Sequence, residues 1–461
     1  MTEQREQWGS RLGFILAAAG SAIGLGNIWK FPYIAGENGG AAFVFIYLVC
    51  IAIIGLPVLV GEVLIGRSSH RDPVGAFKVL HGSKVWMAIG GMGVFAGFVI
   101  LSFYSVVAGW SLGYIIESYN GVFYNFQSAG DAGNHFGSLV SNVEWILSFH
   151  TIFFILTMII VYFGIQKGIE RYSKILMPLL FILLVVMVFR GLSLEGADKG
   201  LAFLFKPDWS KINGETVLVA LGHAFFTLSL GMGAMMTYGS YMSDKDSVLS
   251  ASLQIVILDT LIAMLAGVAI FTAVFATGQD PTAGPGLIFH TLPVVFTKMP
   301  GGQIFSTLFF LLLTIAALTS AISLLEVVVA FFVDELKWVR HKAVILFGLV
   351  TWGIGIPSAL SFNKMSEVHF FGMTFFDVSD YLASNILLPL GGFFIAIFVG
   401  WVWGFDKVLP KLKSGAEDFF DKYPERITYW QFFIKYLAPV LIFLVFLNSV
   451  GLLDKIKTLF N

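Results

Sequence analysis

The chain has 461 residues, of which 57% are hydrophobic and only 12% charged, with a formal net charge of −1 and a mean hydropathy of +0.84. A soluble domain carries about 45–50% apolar and about 25% charged residues, so this charge cannot cover the surface of a soluble protein of its size. The near-neutral balance gives no field for nucleic acid, and Cys50 as the sole cysteine excludes an internal disulfide framework or a cysteine-based metal site. The eight histidines are scattered without a ligand spacing, and no nucleophile–base pair or phosphate loop supports an enzyme. The class that remains is an all-α polytopic membrane protein, rich in Phe for lipid and Gly for close helix packing.

A bilayer core of about 30 Å requires roughly 20 apolar helical residues. Eleven segments qualify: 11–36, 41–66, 86–117, 146–164, 171–190, 216–241, 248–276, 303–335, 342–360, 380–404 and 429–452. The polar Met1–Trp8 segment lacks a cleavage site behind its apolar run, so the first segment reads as a retained span. Residues 191–215 read as a short external loop. Residues 278–300 hold Pro281, Pro285, Pro293 and Pro300 but are too apolar for a linker, and are expected to fold back as an extracellular re-entrant or capping element. Lys and Arg concentrate on one face, from Arg5, Arg11 and Arg67 through Lys407 and Arg426, while 118–145 has none. The positive-inside rule then places the N-terminus in the cytoplasm, and an odd number of spans places the C-terminus outside.

Two spans carry breaks. Span one reads Gly20-Ser21-Ala22-Ile23-Gly24-Leu25-Gly26-Asn27, and span six runs from Phe225 through Thr227 and Ser229 to Gly231-Met232-Gly233. Each glycine costs a helix about 1 kcal/mol relative to alanine. On one segment alone, Gly20 and Gly24 read equally well as a GxxxG packing face. Spacing separates the alternatives. The breaks at 24 and 231 are 207 residues apart, as are the starts of spans two and seven at 41 and 248. Five spans followed by five in the same pattern form an internal repeat, 11–190 and 216–404, and an odd number inverts the second copy. The eleventh helix, 429–452, follows. Interrupted spans at matching positions of an inverted repeat point to a transporter site, because unwound backbone at that depth is tolerated only where it lines a cavity.

Arg11 to Tyr33, followed by Glu37-Asn-Gly-Gly40, resembles the first span of the neurotransmitter:sodium symporters, closest to the bacterial amino-acid members. The resemblance continues through Gly61-Glu62, Phe226 to Gly233, Leu318-Thr-Ser320 and Asp334-Glu-Leu336 and covers essentially the whole chain. It implies the LeuT fold, a 5+5 inverted repeat with helices 1 and 6 broken and eleven transmembrane helices, as bacterial members often have. It implies Na⁺-coupled import of amino acids across the bacterial inner membrane, with two Na⁺ ions and the lipid bilayer as partners.

Na⁺ is a hard cation that takes oxygen ligands. By resemblance one site uses Ala22, Asn27, Thr227 and Asp259, completed by the substrate carboxylate. The second uses the carbonyls of Gly20, Ile23 and Ala316 with the hydroxyls of Thr319 and Ser320. Asp259 departs from the common bacterial pattern, an Asn here with a Glu one turn later; that later residue is Ala263. The reading is that Asp259 supplies the negative charge that animal relatives take from Cl⁻, so transport is Cl⁻-independent; the other is a protonated, structural Asp. H⁺ countertransport through Asp259 stays open.

The resemblance places the substrate carboxylate at the amides of Gly24, Leu25 and Gly26 with the Tyr104 hydroxyl, and the ammonium at carbonyls of Ala22, Phe226, Thr227 and Ser229. Monoamine carriers have an Asp where this chain has Gly24, so the substrate brings its own carboxylate. Ile100, Phe226, Met232, Ser320, Ala321 and Leu324 form an apolar side-chain pocket, suited to hydrophobic L-amino acids, with a lean toward large side chains including aromatic ones. Betaine, GABA or a non-transporting sensor are the alternatives. Lys30 and Asp380 are expected as the outer gate above a Tyr104–Phe226 lid. Arg5 with Asp334, over Trp8 and supported by Tyr241 and Glu326, is expected as the inner one. Gly168 and Pro178 mark where span five unwinds in relatives; an ordinary proline kink is the other reading. Glu62 is expected to hydrogen-bond the unwound part of span six.

Overall fold

A computed structural model describes residues 6–281, 284–453 and 455. Every extended segment is helical, and among the described residues the only β feature is an isolated bridge between Phe370 and Met373. Nine helices there are long and apolar enough to cross a bilayer, from Ala41–Ser69 to Glu425–Ser449. A tenth span is a bent pair, Arg11–Ala22 and Gly26–Glu37, meeting at 48°. Span six is two pieces, Gly214–Thr227 and Ala234–Gly239, with 228–233 between them.

The breaks have local causes. Span one's first half ends where Ile23 leaves helical geometry at ψ 99°, and the chain re-enters through a π-helical turn at Gly26–Lys30. In span six Ser229, Gly231 and Gly233 all take positive φ. A side chain at Gly231 would put its Cβ 2.3 Å from the Leu388 carbonyl oxygen, so span ten packs directly on the unwound backbone. Glu62 Oε1 accepts the Gly231 N–H at 2.7 Å, meeting one amide that the helix no longer satisfies.

Several ends differ from the sequence expectation. Span five starts at Ile165 rather than 171, because a π-helical turn, Ile165–Glu170, runs into Arg171–Leu192. Span ten starts at Phe375 rather than 380, because Thr374 and Asp377 form a capping box, which puts Asp380 inside the helix. The 191–215 connection is not a plain loop: it contains a helix at Ala197–Phe205 and a turn at Trp209–Lys211. In the 278–300 connection a short helix, Thr291–Thr297, follows a 3₁₀ turn, and Leu287, Ile288, Phe289, Leu292, Val294, Val295 and Phe296 are all buried.

Candidate functional site

The two breaks face each other across a small cavity of about 30 Å³. Its walls are Ser21, Ala22, Gly24, Leu25, Gly26, Ile100, Tyr104, Phe226, Ser229, Met232, Ser320 and Leu324. Eleven of these are residues that the sequence nominated for substrate. Thr227 and Ala321 are not in the wall. Thr227 turns its hydroxyl to Asp259 Oδ1 at 3.1 Å, and Ala321 is fully buried in span eight. Ser21 lines the cavity although it was not nominated. Its hydroxyl meets Ser323 at 2.6 Å, and its carbonyl accepts from Ser229 at 2.9 Å and Ser320 at 3.0 Å. The Ala22 to Asn27 stretch exposes backbone groups there: Leu25 N–H lies 3.3 Å from the Tyr104 hydroxyl, and Gly24 N–H donates to Asn27 Oδ1 at 3.1 Å. Gly24 has no room for a side chain, since a Cβ would sit 2.4 Å from Ser320 Oγ and 2.9 Å from the Tyr104 hydroxyl.

Two oxygen clusters flank the cavity. In the first, Asp259 is fully buried, and its Oδ1 accepts from Asn27 Nδ2 at 2.7 Å and from Thr227. Its Oδ2 is buried with no hydrogen-bond partner. An orphaned carboxylate oxygen in an apolar core is costly unless a cation or proton meets it, so this donor set fits a hard cation. In the second, Thr319 Oγ1 reaches the Ala316 carbonyl at 3.0 Å and the Ile23 carbonyl at 3.5 Å. Ser320 Oγ reaches the carbonyls of Gly20 at 3.4 Å and Ile23 at 3.5 Å. Five neutral oxygens thus converge from span one and span eight, again the chemistry of a hard cation.

Above the cavity lies a vestibule of about 410 Å³, lined in part by Leu25, Trp29, Lys30, Tyr104, Phe226, Phe289, Asp377 and Asp380. Lys30 and Asp380 face the same space, but they do not close into an ion pair here. The Lys30 ammonium sits 4.2 Å from the centre of the Phe226 ring, and Asp380 accepts from Ser384 at 2.8 Å. The vestibule between them reaches down to Tyr104 and Phe226.

On the opposite, basic face the start of the described chain is tied to the end of span six. Trp8 donates its backbone N–H to the Tyr241 carbonyl at 3.1 Å and its indole N–H to the Tyr238 carbonyl at 2.9 Å. Arg5 lies outside the described residues. Asp334 accepts the Asp72 N–H at 2.8 Å, and burial together with the Asp334 charge pushes the Asp72 carboxyl up to about 7. Glu326 is not merely a support for an Arg5–Asp334 pair: it is fully buried and bound by both arms of Arg340, at 3.0 Å through Nη1 and more closely through Nη2. The Tyr241 hydroxyl joins the same carboxylate at 2.7 Å. The sequence reading missed Arg340 because, at the first turn of span nine, it counts as one more basic-face charge. Removing one partner of a buried pair strands the other charge at about 3–5 kcal/mol, whereas replacing both can be nearly neutral. Arg340→Met is therefore expected to lower the thermal midpoint of the purified protein markedly, and Arg340→Met with Glu326→Gln to recover most of the loss.

A sequence profile of the sodium:neurotransmitter symporter family matches residues 5–128 and 135–458. The crystal structure of MhsT in complex with L-phenylalanine is similar at 46% identity, with a TM-score of 0.87, over 97% of this chain and 100% of that one. The uncharacterized sodium-dependent transporter YhdH of Bacillus subtilis is 41% identical over 98% of this chain and all of its own. An uncharacterized sodium-dependent transporter of Haemophilus influenzae is 37% identical over 97% of this chain and 99% of its own.

Proposed function

The chain belongs to the sodium:neurotransmitter symporter family, and on that premise we propose that it imports hydrophobic L-amino acids with Na⁺ by alternating access, without Cl⁻. The family is one of transporters, not enzymes, and the chain is a multi-pass membrane protein with the LeuT fold.

The observation that carries the substrate reading is the filled space at Gly24. With Ser320 Oγ and the Tyr104 hydroxyl closing on that position, the protein has no carboxylate of its own to meet an amine. It presents backbone amides beside a phenol hydroxyl instead, a surface for an anion. A zwitterion with its carboxylate there directs its side chain toward Ile100, Phe226, Met232 and Leu324, all apolar. Met232 is a flexible thioether flanked by two glycines at positive φ, which lets this wall retreat for a large side chain. The phenylalanine held by MhsT supports the same class of substrate.

Two ions are proposed: one at Ala22, Asn27, Thr227 and Asp259, and one at Gly20, Ile23, Ala316, Thr319 and Ser320. A charge crossing 100 mV supplies about 2.3 kcal/mol and a tenfold gradient about 1.4 kcal/mol. Two ions then supply roughly 7 kcal/mol, enough to concentrate a neutral zwitterion roughly 10⁵-fold. The cytoplasmic N-terminus, outer gate Lys30–Asp380 and inner gate of Trp8, Tyr241, Asp334 and Arg5 belong to the same proposal.

The test is competition of labelled leucine or phenylalanine uptake in proteoliposomes by each of the twenty amino acids, betaine and GABA. Competition is expected from Leu, Met, Phe, Tyr and Trp, and none from Asp, Lys, betaine or GABA. Competition by betaine or GABA alone would overturn the substrate class, and binding without flux would identify a sensor.

A further inference from the structure

Resting on the reading of the chain as a sodium-coupled transporter, we propose that Glu170 is a positioning residue of the inner gate: its carboxylate latches the start of span one onto span five. The first half of span one then swings away only when that latch opens.

Glu170 closes the π-helical turn Ile165–Glu170, and its side chain is 4% exposed. Its Oε2 accepts the Gly9 N–H at 2.6 Å, and its Oε1 accepts the Ser10 hydroxyl at 2.9 Å and the Lys174 ammonium at 2.6 Å. Ser10 is itself the N-cap of span one, accepting the Gly13 N–H at 3.0 Å. A negative charge at a helix N-terminus is stabilising, and amides there have no partner within the helix. The same turn holds the segment at two more points: Ile165 N–H donates to Glu6 Oε2 and the Gln166 amide to the Gln7 carbonyl, both at 2.9 Å. Gly13 shows how tightly the parts fit, since a Cβ there would lie 2.2 Å from Glu170 Oε1.

The turn that carries the latch is the weak one in span five. It has π-type bonding, which marks insertions in a helix at functional places, and it follows Gly164 at φ +82°. Rearrangement of this turn moves Glu170 and strands the Gly9 and Ser10 donors together. The half of span one that this frees carries the Gly20, Ala22 and Ile23 carbonyls assigned to both ion sets. Na⁺ binding and latch closure therefore favour the same conformation, and each must strengthen the other.

The experiment uses the full chain in proteoliposomes with Cys50→Ala and Ala17→Cys, and reads the rate at which a membrane-permeant maleimide labels position 17, which is buried in span one. In the parent, Na⁺ is expected to slow labelling. Glu170→Ala is expected to speed labelling at least about tenfold at low Na⁺, and higher Na⁺ to restore protection. A misfolded variant would not respond to Na⁺. Glu170→Gln, which keeps the shape and one acceptor, should fall between. Gly13→Ala, whose methyl displaces the carboxylate, should mimic Glu170→Ala and add nothing to it in the double variant. Unchanged labelling in both Glu170→Ala and Gly13→Ala, or additive effects in the double variant, would overturn the latch. A parent whose labelling ignores Na⁺ while Glu170→Ala still speeds it would keep the latch and remove the sodium reading.

Discussion

Asp259→Asn is expected to raise the Na⁺ concentration for half-maximal uptake by at least about 100-fold in Cl⁻-free buffer, with Cl⁻ restoring part of the loss. Asp259 is fully buried, is held by Asn27 and Thr227, and has one oxygen without a hydrogen-bond partner. A unit charge 4 Å from a cation contributes about 4 kcal/mol at an effective dielectric of 20, which converts to roughly 10³ in affinity. Asparagine keeps the shape and an oxygen ligand, so the difference isolates the charge. The next turn offers no substitute, because Ala263 stands there. Uptake by the parent should be indifferent to replacing Cl⁻ with gluconate. A parent that needs Cl⁻, or an Asn variant with an unaltered Na⁺ dependence, would show that the Asp259 charge does not serve the ion.

Gly24→Asp is expected to abolish amino-acid uptake, by at least about 100-fold, while the protein stays folded in the membrane. Its Cβ would meet Ser320 Oγ at 2.4 Å and the Tyr104 hydroxyl at 2.9 Å, so both must move. Its carboxylate would also occupy the position assigned to the substrate carboxylate, adding like-charge repulsion. Gly24→Ala separates the two effects. It displaces Ser320, a proposed Na⁺ ligand, without adding charge, and should cost about tenfold. Equal losses in the two variants would assign the effect to Ser320 alone, and full activity in Gly24→Asp would put the carboxylate site elsewhere. The assay is initial-rate uptake corrected for reconstituted protein.

Much of this architecture was legible because membrane spans and helix breaks are written locally. Apolar length places the span from Val248 to Ala276 at both ends, and Gly24, Gly231 and Gly233 fall on the two breaks. The cavity wall was legible through the family resemblance, residue by residue. What stayed hidden depends on contacts distant in sequence. Glu170 carries no signal in the local sequence, yet it faces Gly9 and Ser10 about 160 positions earlier. Arg340 read as a topology signal, although it neutralises Glu326 inside the fold. Ser21 read as one more small residue in a glycine-rich run, although its carbonyl joins Ser229 to Ser320. Neither periodicity nor composition states which charges are buried together, and that information separates a solvated pair from a gate.

The central claim is that a Na⁺ gradient drives accumulation of a hydrophobic amino acid, and uptake into proteoliposomes under an imposed gradient tests it most directly. With Na⁺ outside and K⁺ inside, labelled leucine or phenylalanine should rise transiently above its external concentration, and collapsing the gradient with a sodium ionophore should release it. A K⁺ or H⁺ gradient that serves equally well, or amino-acid entry that never exceeds equilibration, would contradict the account.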